Sequence, residues 1–280
     1  MHLDCASSLY NALLRNNSVI IQNKESMDNM FKKIALATAL IASLGTAHAY
    51  QAEVGGTIAY VDPDHGDSTV GFGLDGKYFF NPVQVKNHPL NEAAFLERAS
   101  NVNAALSYAD NDFAESTVIG AGIEYFVPNS DFYLSAGINH QSIDTVEGDA
   151  DQLGYTAEVG YLPAPGLLLA IGLAGYDNDL DDDVDPTLRA KYVTQVGAYD
   201  MNFEAATSFG DVDYYGLGAD LYLDKTLSLG VSYASDFDSV SDDVFTLRAK
   251  KFFTQQVSLE GSVAFGDDDN TFGVRGAYRF

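Results

Sequence analysis

From residue 50 onward the chain alternates apolar and polar side chains in fourteen stretches separated by turn residues: 50–61, 69–80, 101–109, 117–127, 132–143, 153–162, 167–176, 187–196, 201–210, 214–223, 226–235, 244–254, 255–265 and 271–280. A period of two belongs to a strand with one face in each of two media, because successive side chains point to opposite sides. The last stretch reads most plainly. Phe272, Val274, Gly276, Tyr278 and Phe280 share one face, and Thr271, Gly273, Arg275, Ala277 and Arg279 the other. No segment after Ala49 is a long unbroken apolar run, so these residues contain no membrane helix. A chain without such a helix can still cross a bilayer as a closed barrel, which satisfies its backbone polar groups between strands. The predicted fold class is therefore all-β, a transmembrane antiparallel up-and-down β-barrel of about fourteen strands, whose even count places both ends on the periplasmic side.

The beginning of the chain supplies the route to such a membrane. Met30-Phe31-Lys32-Lys33, the apolar run Ile34 to Leu44 and Gly45-Thr46-Ala47-His48-Ala49 form a charged region, an apolar region and an A-x-A cleavage site. That is the order of a secretory signal, expected to be removed after Ala49. The apolar run is too short for a membrane anchor, which needs ~20 residues. Residues 1–29 carry no targeting logic of their own and read as a mis-assigned leader, with the true start at Met30 or Met27. Cys5, the sole cysteine, lies in that leader, so residues 50–280 have neither a disulfide framework nor a thiolate metal site.

Residues 50–280 hold 37 acidic and 11 basic side chains, a net charge of −26. That excludes nucleic acid as a partner, because phosphate binding requires clustered Lys and Arg. The charge is also sorted along the chain. One set of connectors is tight: Pro128-Asn129-Ser130-Asp131, Pro163-Ala164-Pro165-Gly166, Gly197-Ala198-Tyr199-Asp200 and Asp224-Lys225. This is chemistry that reverses a chain in a few residues. The alternate connectors, 62–68, 110–116, 144–152, 177–186, 211–213, 236–243 and 266–270, carry 25 of the 37 acids and no Lys or Arg. Segregation by alternate connector marks them as one face of the molecule, the cell-exterior face.

The apolar faces form sets such as Leu217, Ala219, Leu221, Leu223 and Leu227, Leu229, Val231, Tyr233. Aromatic residues recur at both strand ends, among them Tyr60, Tyr155 and Phe272 beside the acidic connectors and Tyr78, Tyr161 and Tyr278 beside the tight turns. Two such girdles are what interfacial anchoring produces. The competing soluble sandwich needs an inner-sheet pattern facing a second layer, which the sequence lacks.

A chain that stops on Phe280 in mid-strand resembles the C-terminal signature of bacterial outer-membrane β-barrels. The resemblance implies that the last strand closes the barrel and is read by the barrel-assembly machinery, with Tyr78, Tyr278 and Phe280 as the signal. The stretch Pro-Leu-x-Glu-Ala-Ala-Phe-Leu followed by Ala-Ser-Asn-Val at 89–102, and the start Tyr50-Gln51-x-Glu53-Val54, resemble a family of small Acinetobacter-type gammaproteobacterial outer-membrane porins. That resemblance covers nearly all of 30–280. It implies a channel for small hydrophilic solutes and ions, in contact with outer-membrane lipid and lipopolysaccharide, with no cofactor.

On the alternating registers the bases Lys77, Arg189, Lys191, Arg248, Lys250, Arg275 and Arg279 point into the lumen, as do the acids Glu53, Asp75, Glu124, Glu158, Glu204, Asp220 and Glu260. Charge lining a barrel wider than eight strands suits a water-filled pore, while cross-strand pairing that fills the lumen is the alternative. Arg275, Arg279 and Lys77 are expected on one arc and most of the acids on another, which would set a transverse field across the pore. A non-conducting barrel for adhesion or envelope structure remains open at this level, and the short outer connectors, with no trimer latch, favour a monomer.

Three further stretches bear on function. Residues 89–100 read as a short helix with Leu90, Ala93, Ala94 and Phe95 or Leu96 on one side, placed to plug the periplasmic mouth or to lie beneath it. Asp177, Asp179, Asp181 and Asp183 alternate as in a calcium loop, but Asp182 and Leu188 stand where Gly and Glu are required, which makes these acids weak metal candidates. His140 and Ser142 share a strand face, but Ile143-Asp144 follows where outer-membrane phospholipases have Asn-Gly, so no enzyme is expected.

Overall fold

The computed structural model describes residues 49–111, 114–145, 148–179, 181–210, 214–236 and 243–280. The signal and leader expectations fall on 1–48 and lie outside the described residues, as do parts of the acidic connectors. Fourteen strands form one closed barrel: β1 (Ala49–Pro63), β2 (Thr69–Gln84), β3 (Asn101–Asp110), β4 (Ala114–Phe126), β5 (Phe132–Thr145), β6 (Gly148–Ala164), β7 (Leu167–Asn178), β8 (Asp182–Val196), β9 (Tyr199–Ser208), β10 (Tyr214–Asp224), β11 (Leu227–Asp236), β12 (Val244–Phe252), β13 (Val257–Phe265) and β14 (Asp269–Arg279). Each pairs antiparallel with its sequence neighbours, and β14 returns to β1 from Glu53↔Arg279 to Pro63↔Asp269. The terminal residue fastens this seam. The Phe280 carbonyl accepts from the backbone N–H groups of Gln51 (2.8 Å) and Ala52 (2.9 Å), and Phe280 donates to Ala52 (3.0 Å).

The outward face is apolar along every strand. Ile171 (65 % exposed), Leu217 (55 %) and Val274 (54 %) stand in the open, and the apolar partners of each register continue around the wall. A soluble protein rarely carries contiguous apolar area of this extent, whereas a barrel in hydrocarbon requires it. Tyr278 stacks on Phe280 at 6.3 Å between ring centroids, and on the other side of β1 the Tyr78 hydroxyl accepts from Gln51 Nε2 at 3.1 Å, so the three residues flank the start of β1 at the periplasmic edge.

Two connector sets differ from the sequence reading in extent. The ladder continues to Thr145↔Gly148 between β5 and β6 and to Asp177↔Asp182 between β7 and β8, so much of 144–152 and 177–186 is strand. Asp disfavours strand interiors, but at a hairpin tip both faces meet water and the backbone bonds still gain from pairing. The tight turns use left-handed backbone where reversal needs it, at Asn129 (φ 56°), Gly166 (φ 75°) and Gly197 (φ 64°).

Between β2 and β3 the chain departs from the barrel wall. The helix expected over 89–100 is a single turn, α1 (Ala93–Leu96), preceded by a turn at Pro89–Glu92 and ended by Arg98 at φ 52°. Too few residues lie between Pro89 and that left-handed residue to offset the cost of nucleating a longer helix. Leu90, Ala93 and Phe95 are buried, and they join two apolar clusters on different arcs of the wall. Tyr50, Phe79, Val83 and Phe252 surround Leu90 and Ala93, while Phe126, Tyr133, Leu162, Leu168 and Val193 surround Phe95.

Candidate functional site: a charged belt above a seated connector

The inward side chains make a belt of hydrogen bonds around the wall. At the seam, Glu53 accepts from Arg279 Nε (2.5 Å) and from Arg275 Nη2 (3.2 Å), and Arg275 also donates to both oxygens of Asp75 (2.9 and 2.5 Å). Lys77 stands opposite Glu53 in register. Along β13 and β12, Glu260 meets Lys250 at 3.4 Å. Arg248 reaches over β11 to donate twice to Asp220 on β10, at 2.9 Å each. Its path is open because Gly230 on β11 has no side chain; a Cβ there would lie 2.2 Å from Asp220 Oδ1.

The belt continues through Asn202, which donates to Asp220 (3.2 Å) and Glu204 (2.8 Å), and Lys191 donates to Glu204 (2.9 Å). Arg189 then holds Glu158 by three contacts between 2.6 and 3.1 Å, and the Glu158 side chain lies over Gly172, where a Cβ would stand 2.8 Å from its Cγ. The Tyr133 hydroxyl accepts from Arg189 (3.3 Å) and donates to Glu124 (2.8 Å), which accepts from Asn101 (2.9 Å). Asn103 stands in register with Lys77 and returns the belt to its start.

All fourteen ionisable residues singled out in the sequence thus face inward and stand near one another, but their arrangement differs from opposed arcs. Bases and acids are interspersed around the wall, because a cation with low solvent access is stabilised by a carboxylate within hydrogen-bond reach and not by a distant field. The polar bridges Asn101, Asn103, Tyr133, Asn202 and Ser135, which donates to Glu158 at 3.0 Å, were not singled out. Each occupies an inward position, so the period-two signal contained them, though neutral side chains drew no notice. A cavity of about 260 Å³ lies against this belt, lined among others by Glu53, Asp75, Glu124, Glu158, Arg189 and Arg275.

The connector lies inside the periplasmic end of the lumen. The plug arrangement is the one found. Leu90 donates its N–H to the Lys225 carbonyl (2.8 Å) and its carbonyl accepts from Arg279 Nη1 (2.8 Å). Glu92, 1 % exposed, lies 2.8 Å from Lys191 Nζ and accepts from the Tyr222 hydroxyl at 2.5 Å. Arg98 donates to the Ser130 carbonyl and to Asp131, both at 2.9 Å. Lys225 Nζ contacts Asn87. Contacts to β8, β10, β14 and the β4–β5 and β10–β11 turns span the mouth. In that last turn the hydroxyl and backbone N–H of Thr226 hold the Asp224 carboxyl below its ordinary pKa. Glu92 and Tyr222 are further residues that the sequence reading did not single out. Tyr222 was accessible to it as an inward position two residues from Asp220, while nothing periodic marks Glu92.

The acids proposed for metal do not converge. Asp177 and Asp182 face one another across a strand ladder and Asp181 is bound up in the hairpin turn with Asn178. Among the described residues no group of three or more His, Cys, Asp or Glu side chains could hold an ion. His140 pairs with Asp151 at 3.3 Å on the exposed outer wall.

Comparison with known proteins agrees with this architecture. The family described as "Putative general bacterial porin" matches residues 30–185. The outer membrane protein Omp33 of Acinetobacter baumannii is similar in structure, with a TM-score of 0.65, 29% identity, and coverage of 84% of this chain and all of that one. The TodX deltaS2S3 mutant monoaromatic hydrocarbon channel shares the fold at a TM-score of 0.50 and 9% identity, covering 84% of this chain and 91% of its own. No curated protein matches the chain's sequence. With more than half its length matched by that family and its wall built as a polar-lined barrel, the chain belongs to the general bacterial porins, passive channels of the outer membrane.

Proposed function

We propose that the protein is a monomeric channel for passive diffusion of small hydrophilic solutes and ions, with the belt of paired charges as its permeation wall and residues 87–98 as a seated closure at the periplasmic end. The observation that carries this reading is the belt itself. Seven bases and seven acids line the inside of a fourteen-strand wall, wide enough to hold water beside them. A barrel meant only to anchor loops gains nothing from lining its inside with that many charges, since well-packed apolar residues would hold it as firmly. The seated connector favours a second reading, a non-conducting barrel that serves adhesion or envelope structure through its acidic rim. Conductance of the folded protein in a planar bilayer separates the two: stepwise channel events are expected, and their absence from correctly folded protein, both native and with the connector released by substitution, would overturn the porin reading.

The finer assignments rest on sequence pattern. Residues 30–49 act as the export signal and 1–29 as a leader, so the N-terminus of the membrane-inserted protein is expected at Tyr50, a mass that spectrometry of the outer-membrane fraction reads directly. Tyr78, Tyr278 and Phe280 serve the assembly machinery, supported by their places on either side of β1 at the barrel seam. The acidic rim meets lipopolysaccharide through divalent cations in bulk exchange and not through a fixed site. No covalent chemistry or cofactor enters this function.

A further inference from the structure

Glu92 occupies a position that a wall of this kind has no structural need to provide. Lys191 already has a carboxylate partner on the neighbouring strand, Glu204 at 2.9 Å, which Asn202 also contacts. The connector nevertheless places a second carboxylate on the same ammonium at 2.8 Å and a hydroxyl donor, Tyr222, on the carboxylate's other oxygen at 2.5 Å. All three groups are almost fully removed from water: Lys191 is 2 % exposed, Glu92 1 % and Tyr222 3 %. The ring of Phe95, next on the connector, lies over the Lys191 ammonium at 5.0 Å. A buried carboxylate without a cation and a hydroxyl beside it would be strongly destabilising. Lys191 Nζ and Tyr222 Oη therefore form a two-point carboxylate receptor on the inner wall. The part of the chain that fills it is the connector seated in the periplasmic mouth.

We propose that this receptor is a binding site for the carboxylate of small organic-acid solutes, and that Glu92 fills it in the closed conformer as a tethered stand-in for that ligand. A solute carboxylate that reaches Lys191 and Tyr222 when the connector lifts holds them satisfied and so favours the open state. A ligand shifts a two-state equilibrium only by its differential affinity for the two states, and here the difference is complete, because the closed state has the site occupied by its own side chain. The proposal rests on the channel reading given above.

Propionate reproduces the last three carbons of a glutamate side chain and is the probe of choice. The full chain is reconstituted in a planar bilayer and its open probability followed as chloride is replaced by propionate at constant ionic strength. The expected result is a rise of about tenfold at saturating propionate, in line with a coupling of ordinary size. Glu92→Gln should be largely open without propionate, and Lys191→Met should be open and insensitive to it. Tyr222→Phe, which keeps the ring and its packing, should lower the propionate concentration dependence without preventing folding. Folding of each variant is verified by its heat-modifiable gel mobility. If propionate and chloride act alike, or if Glu92→Gln opens while propionate leaves the native chain unchanged, the receptor assignment is overturned and the channel reading stands. If neither the native chain nor any variant conducts while all are folded, the channel reading itself fails.

Discussion

Arg275 and Arg279 lie four residues apart on one strand face, share Glu53 as a partner, and yet do different work. Arg275 spends its guanidinium on Asp75 and Glu53, both on the wall. Arg279 divides its donors between Glu53 and the Leu90 carbonyl of the connector, and its guanidinium lies 4.5 Å from the ring centroids of both Tyr50 and Phe252. Two substitutions should separate these roles. Arg275→Ala leaves two lumenal carboxylates with one fewer cation, so the reversal potential in a salt gradient should move toward cations while open probability stays as in the native chain. The cost in stability should be about 1–3 kcal/mol, the range for a lost charged hydrogen bond. Arg279→Ala should move the potential the same way and also raise open probability, because it frees one anchor of the connector. Unchanged reversal potentials in both variants would show that these side chains do not face the conduction path. The two arginines also mark the limit of sequence reading at this scale. Their inward direction follows from the alternation of 271–280, but their partners depend on the β1–β14 register across more than two hundred residues, which no local pattern encodes.

At the level of elements, the strands were legible and the connector was not. Each strand carries a two-residue period enforced by contact with lipid, so fourteen segments, their order and their sides could be read from the sequence, while hairpin tips extended further than polarity suggested and β2 ran on to Gln84. The connector has no such external constraint. Its conformation is set by what it touches: Leu90 and Ala93 against one apolar cluster, Phe95 against another, and Glu92 on Lys191. Those contacts are long-range, so the single turn of α1 and its seat inside the mouth could not be read from the residues between 81 and 100. The same dependence predicts its behaviour. Phe95→Ala removes a buried aromatic side chain worth about 3–5 kcal/mol, and the loss should fall on the connector and not on the barrel. Hydrogen exchange should therefore quicken at 87–98 while the strand ladders keep their protection; equal loss of protection in both would mean that the connector and barrel open as one unit. The β6–β7 turn offers a contrasting case. Gly166 has φ 75°, and a Cβ there would lie 2.2 Å from the Val193 carbonyl oxygen. Gly166→Ala should cost more than ~1 kcal/mol of global stability, read as a lower urea midpoint for folding into lipid vesicles.

For the whole molecule, the charge has two separate populations. On the wall seven bases are interspersed among seven acids, so the belt contributes little net field, and Glu92 joins them from the connector. The remaining asymmetry lies at the outer end, where 25 acids and no Lys or Arg occupy the connectors and the strand tips that continue them. Selectivity should then arise mainly at the rim and not in the lumen. An exposed rim of one sign concentrates cations within a Debye length, about 10 Å at 0.1 M salt and about 3 Å at 1 M. The rim is on one side only, so the effect should depend on which side is dilute. With protein inserted in a known orientation, the ratio of potassium to chloride permeability should be several-fold larger when the dilute solution bathes the outer loops than when it bathes the periplasmic mouth. Raising both sides to molar salt should bring the two orientations together. Equal ratios in both orientations at low salt would place the selective charges inside the barrel and return Glu53, Asp75 and Glu124 to the leading part.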